Sequence, residues 1–183
     1  GPIVKSDIYK GEIYDARLEM QNWTTTDFTA NNWKSAVEVN KSKDILIAAQ
    51  GAPVKAIEEL KPIKQITTPK GEMVYDMGQN MVGWLRINMK GNKGDTVRLK
   101  FAEVLDRDGN FYTANLRAAD ATDTYILKGE TVEVYEPKFT FHGFRFVKLE
   151  GFDHTPALAD LTGVVIYSAM KPTGSFSCSN ELI

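Results

Sequence analysis

The chain has 183 residues, 43% of them hydrophobic and 25% charged, which supports a packed core and excludes the apolar-poor, charge-imbalanced signature of a disordered chain. Its 22 Lys and Arg are closely mixed with 24 Asp and Glu, for a net charge of −2; no basic block invites nucleic acid, and no apolar run approaches the roughly 20 residues that span a membrane. One cysteine, Cys178, and two histidines, His142 and His154, exclude an internal disulfide and a thiolate zinc site, so no metal or cofactor is expected.

Along the chain, residues 8–20 read as strand. Residues 23–33 are polar, with Thr24-Thr25-Thr26-Asp27 and Asn31-Asn32, and predict a loop anchored by Phe28, Trp23 and Trp33. Lys41-Ser42-Lys43-Asp44 is a second polar break, and Pro53, Pro62 and Pro69 punctuate the next stretch, so a domain boundary is placed within residues 41–70. Beyond residue 73 the dominant signal is period-two alternation. Residues 82–90 and 95–102 predict strands joined by the turn Gly91-Asn92-Lys93-Gly94. Residues 101–105 then meet Asp106-Arg107-Asp108-Gly109-Asn110, a hairpin signal. Further strands are predicted at 124–127, 132–140, 144–150 and 161–168, with turns at Lys128-Gly129, His142-Gly143 and His154-Thr155-Pro156. The best helical candidate, 114–121, is short. Many short strands with few helices predict an all-β fold, an antiparallel β-sandwich or jelly roll, with helix below about a fifth of the chain. Asn180-Glu181-Leu182-Ile183 brings no closing element, as expected of a cut chain.

Few residues announce chemistry. The Asp106–Asn110 run resembles the start of a calcium loop, but its glycine stands fourth and its twelfth residue is Arg117, so a plain hairpin turn is the better reading. Glycoside hydrolysis needs two carboxylates across a sugar; among 24 acidic residues a pair such as Asp120 and Asp123 singles out nothing, and no catalytic residue is assigned. No phosphate loop or nucleophile elbow is present. Trp23 and Trp33 lie in a polar segment and are candidates for stacking on sugar, against the commoner fate of packing in a core. Glu103, Arg117, His142 and Arg145 stand among apolar neighbours and need partners. At least two of them are expected to meet as a polar cluster at one edge of the sandwich, with Glu103 accepting from Arg117 or Arg145, in a structural, domain-docking or ligand-binding role.

Several of these segments form an ordered set. Gly11-Glu12-Ile13-Tyr14-Asp15-Ala16-Arg17, Tyr75-Asp76-Met77-Gly78-Gln79-Asn80-Met81-Val82-Gly83-Trp84, Ala102-Glu103-Val104-Leu105, Asn115-Leu116-Arg117, Ala121-Thr122-Asp123-Thr124-Tyr125, and the run from Tyr135 through His142 to Arg145 cover nearly the whole chain. The set resembles bacterial α-L-rhamnosidases, glycoside hydrolase family seventy-eight. The resemblance implies β-sandwich modules leading into an (α/α)₆ barrel that carries the catalytic carboxylates and inverts configuration through a water. On that basis residues 1–55 are expected to be the C-terminal part of a sugar-binding-like β module, 56–172 the concanavalin-like β-sandwich, and 173–183 the lead-in to a barrel not contained here. The implied partners are that catalytic domain in the same parent chain and a rhamnose-containing glycan, with no nucleic acid and no membrane; a periplasmic or extracellular setting is implied by the family's role on polysaccharides. Phe101 stands where relatives carry a histidine, so any shared polar cluster using that histidine is altered. The competing readings are an independent carbohydrate-binding module and a small complete enzyme.

Overall fold

The structure, a computed structural model, describes residues 1–31 and 33–180. Asn32 of the polar loop and Glu181, Leu182 and Ile183 of the expected lead-in lie outside the described residues. The strands are β1 (Ile3–Asp7), β2 (Gly11–Asp15), β3 (Val54–Leu60), β4 (Lys64–Thr67), β5 (Met73–Met89), β6 (Thr96–Ala102), β7 (Val104–Leu105), β8 (Phe111–Tyr112), β9 (Thr122–Ile126), β10 (Glu133–Tyr135), β11 (His142–Glu150) and β12 (Leu161–Ser168). Helical structure among the described residues is confined to three single 3-10 turns, Ala16–Leu18, Ala114–Leu116 and Leu158–Asp160. The all-β expectation holds, and the helical candidate at 114–121 reduces to one such turn.

Ten strands join one hydrogen-bonded sheet in the order β1-β2-β9-β6-β11-β5-β12-β3, with β4 and β10 also pairing β5. The 17-residue β5 is what folds this sheet into a sandwich. Its first part pairs β4 (Lys64↔Asp76) and β11 (Val147↔Tyr75), while its second part pairs β12 (Val164↔Trp84) and β10 (Tyr135↔Ile87). Between the two lie Gly78, at φ 85°, and a shift in the β5–β11 register between Phe144 and Phe146. A glycine in the left-handed region and an irregular ladder are the means by which a strand turns sharply without losing its partners.

Alternation then supplies the core. Leu85 and Ile87 of β5, Leu99 and Phe101 of β6, Phe144 and Val147 of β11 and Leu161 of β12 are fully buried in one cluster that spans both halves of the sheet. Each such side chain contributes about 1.5–3 kcal/mol relative to exposure.

Three features depart from the expected plan. His142-Gly143 is not a turn: both residues open β11, with His142 paired to Gly83. Glycine's turn signal gives way there to a ladder that forms regardless of side chain. The proline-punctuated stretch holds two strands, β3 and β4, each an edge strand, a place where proline-flanked segments are tolerated. The sheet is also not wholly antiparallel, because β2 runs parallel to β9 (Ile13↔Thr124). Through that pair the β1–β2 hairpin continues the same sheet, and Ala16 joins the core cluster. The hairpin expected at 106–110 forms between β7 and β8, with the Asp106 carboxylate accepting from the N–H groups of Asp108 (3.0 Å) and Asn110 (2.7 Å).

Candidate functional site

The four expected polar residues do not pair with one another. Glu103, His142 and Arg145 each take a partner of their own, because alternation and the β11 bulge send neighbouring side chains to different surroundings. Glu103 is partly exposed and accepts from the side-chain amides of Asn115 (3.1 Å) and Asn80 (3.5 Å). Arg145 forms a two-pronged pair with Asp76, Nε to Oδ1 at 2.8 Å and Nη2 to Oδ2 at 3.0 Å, and lies over the Phe146 ring. His142 places Nε2 3.0 Å from Asp123 Oδ1 and stacks on Phe101, ring centroids 4.2 Å apart. Arg117 lies apart from all three, on a surface groove. Glu103 does come close to the backbone beside His142: a Cβ added to Gly143 would lie 3.7 Å from Glu103 Oε1.

This distribution changes which substitution matters. Glu103→Ala removes hydrogen bonds that water replaces, and should cost under about 1 kcal/mol. Asp76 has a side chain 2% exposed, against 40% for Arg145. Hydrogen bonds from the Arg145 guanidinium, offset in part by burial and helped by the Gly78 N–H, hold its carboxyl below the ordinary carboxylate range. A group whose folded pKa lies below its unfolded value stabilises above the unfolded pKa and loses that contribution as pH falls through the folded pKa. Acid unfolding of Asp76→Asn should therefore be shallower below about pH 4 than that of the parent chain. Parallel acid melts would refute this.

The strongest buried polar group was not anticipated as such. Glu12, fully buried, accepts from the Tyr135 hydroxyl (3.2 Å) and from the N–H groups of Lys138 (3.1 Å) and Phe139 (3.4 Å). Its own N–H donates to Asp123 Oδ1 (2.9 Å), the same oxygen that faces His142. Asp123 Oδ2 is buried with no hydrogen-bond partner among the described residues. Glu133 gathers the N–H groups of Lys128, Gly129 and Glu130 and the Tyr125 hydroxyl; burial raises its pKa, and these donors outweigh it to leave the carboxyl low. An acid flanked by apolar residues at an inward strand position is the one local signal; the partners of Glu12 stand more than 110 residues away.

Trp23 and Trp33 are half exposed and line an open, mostly apolar groove of about 760 Å³ with Tyr14, Met20 and Phe139. They do not form a flat platform. Their rings are tilted at 42° and 6.4 Å apart, Phe28 packs on Trp33 at 5.5 Å, and the Trp33 indole N–H donates to the Met20 sulfur.

The deeply buried carboxylates Glu12, Asp76 and Glu133 are thus committed to internal donors, and they hold strands and turns together rather than facing a cleft. Fold and site together define a β-sandwich module whose buried carboxylates serve its own strands and turns. The model of the bacterial α-L-rhamnosidase concanavalin-like domain matches residues 66–167, and that of the α-L-rhamnosidase N-terminal domain matches residues 1–58. The chain belongs to the bacterial α-L-rhamnosidase family. It is 47% identical, over its full length, to an α-L-rhamnosidase of Streptomyces avermitilis, of which it covers 18%. It superposes over its full length on 21% of the α-L-rhamnosidase of Aspergillus terreus (TM-score 0.94, 42% identity) and on 21% of that of Dictyoglumus thermophilum (TM-score 0.91, 41% identity). The chain therefore spans about a fifth of the length of the relatives it matches.

Proposed function

We propose that the chain serves as a non-catalytic β-sandwich module of an enzyme that removes terminal α-L-rhamnose from glycosides or polysaccharides, and that it scaffolds the catalytic (α/α)₆ domain of the same parent chain. In this reading residues 1–55 close a preceding β module, 56–172 form the sandwich and 173–183 lead towards the barrel. The observation that carries it is the match to a fifth of much longer α-L-rhamnosidases, aligned end to end with this chain. Exposed apolar side chains support a docking role. Phe139 is 71% exposed, and Val37, Ile45 and Ile47 are 85–88% exposed in the chain by itself.

Hydrolysis with inversion needs an acid and a base about 6.5–9.5 Å apart across an open site, whereas the buried carboxylates here are engaged internally. The chain alone should show no turnover of an aryl α-L-rhamnoside above buffer; turnover that one Asp or Glu substitution abolishes would overturn the non-catalytic reading. The groove of Trp23 and Trp33 favours one second reading, a rhamnose-binding module. It requires L-rhamnose to change tryptophan fluorescence saturably in the parent chain and not after Trp23→Ala.

A further inference from the structure

A second open groove, of about 680 Å³, lies on the outer face of the sheet. Alternation turns Arg98 and Lys100 of β6 and Lys148 of β11 away from the core and into the groove's lining, which Lys5, Lys10 and Arg117 complete. Six cations and one carboxylate, Asp120, line it, in a chain whose net charge is −2. Three of the cations are already matched: Lys10 with Asp120 (3.0 Å), Lys100 with Glu150 (3.2 Å), and Lys148 with Glu72 (2.9 Å) and Glu150 (3.2 Å). Lys5, Arg98 and Arg117 have no carboxylate within ion-pair distance among the described residues.

The segment that carries Arg117 is held in a costly conformation. Arg117 has φ 57° and ψ −110°, and Ala121 has φ 41°, both left-handed without being glycine. The segment is fixed by the β1–β2 turn beside it, where Lys10 Nζ donates to the Ala118 carbonyl (2.8 Å) and the Ala121 N–H donates to the Tyr9 carbonyl (3.0 Å). Strained residues persist where their surroundings over-determine them, and they gather at ligand-binding surfaces.

We propose that this groove binds an acidic glycan through the carboxylates of its uronate sugars; the glycan class rests on the reading of the chain as part of a glycoside hydrolase. A guanidinium grips a carboxylate with two parallel hydrogen bonds, and Arg98 and Arg117 are free to do so. Thr113, Thr122 and Thr124 line the same groove and present hydroxyls to match the hydroxyls between successive carboxylates. The carboxylates of Asp120 and Glu150, set among the cations, disfavour a nucleic-acid duplex, whose phosphates come one per roughly 1.7 Å of axis. Sparse charge interleaved with neutral polar groups fits the pattern better.

The test is affinity electrophoresis of the chain in gels containing polygalacturonate, neutral dextran or duplex DNA. Polygalacturonate should retard the chain, and neutral dextran should not. Arg98→Glu and Lys5→Glu should each weaken retardation about tenfold, as should Arg117→Gln, which stays polar but removes the charge and the guanidinium fork. Lys93→Glu, the same charge reversal on a turn outside the groove, should stay within about twofold of the parent chain. Circular dichroism melts confirm that each variant is folded. The proposal is overturned if polygalacturonate gives no retardation, if duplex DNA retards as strongly, or if Lys93→Glu loses as much as the groove variants. Retardation is read on the chain alone and rhamnoside turnover on the longer protein, so either reading can fail without the other.

Discussion

Gly83→Ala should abolish cooperative folding under conditions where the parent chain is native. A Cβ at this position would sit 1.8 Å from the Val164 carbonyl oxygen, 2.9 Å from its carbon and 3.3 Å from Val165 Cα. None of these is the end of a flexible side chain; all belong to the backbone of β12, which pairs β5 at Val164↔Trp84 and Val165↔Gly83. Relief requires the two strands to part where β5 passes from one half of the sheet to the other. A cost above about 4 kcal/mol is expected, beyond the range of ordinary substitutions and a large share of a domain's total stability. Gly109→Ala is the control. Its φ of 84° disfavours alanine, but a Cβ there meets nothing within 4 Å, so the loss should be about 1 kcal/mol. Urea melts of the two variants separate the cases, and a Gly83→Ala midpoint near that of Gly109→Ala would refute the steric argument.

Glu12→Ala should cost about 3–5 kcal/mol, since each buried donor left without its acceptor costs about 1–3 kcal/mol. The substitution leaves the Tyr135 hydroxyl and the N–H groups of Lys138 and Phe139 without their acceptor and opens a void beneath them. Glu12→Gln keeps the shape and one acceptor oxygen, so about half of that loss should return. The damage should also be local before it is global: hydrogen exchange at β2 and at residues 138–139 should accelerate well before that of β6 or β11. Uniform acceleration across the sheet, or a loss below about 1 kcal/mol, would show that Glu12 is not the fastening described.

Much of the sandwich was legible because its signals are local. The alternation of Leu99 and Phe101 with Arg98 and Lys100 is visible within a few residues, and the Asp106 hairpin advertises itself by its turn chemistry. Two kinds of information were not local. The first is the ladder itself: His142-Gly143 looks like a turn, and only its partners Gly83 and Val82 make it a strand. The second is the assignment of charges. Glu103, Arg117, His142 and Arg145 stand beside apolar residues in the sequence, but sequence carries no record of which carboxylate each cation would find. Arg145 found Asp76, 69 residues upstream, in a motif noticed for another reason. The basic groove escaped notice for a related cause. Its cations are spaced through the chain from Lys5 to Lys148, and only the stacking of β2, β9, β6 and β11 side by side brings them to one face.

The seat of the first hairpin also dictates an order of events. Glu12 is fastened by groups 126 and 127 residues further along the chain, and its strand lies against residues 124–126. Contacts of such long sequence separation carry the largest loop-closure cost and form late. On the ribosome, at about 5–20 residues per second, the hairpin emerges several seconds before any of its partners exists. Until then β2 offers an unpaired edge, and Tyr14 has neither Tyr125 nor Tyr135 to pack on. The β1–β2 hairpin is synthesised well before the partners that seat it, so its exposure to mispairing ends only when residue 139 leaves the exit tunnel.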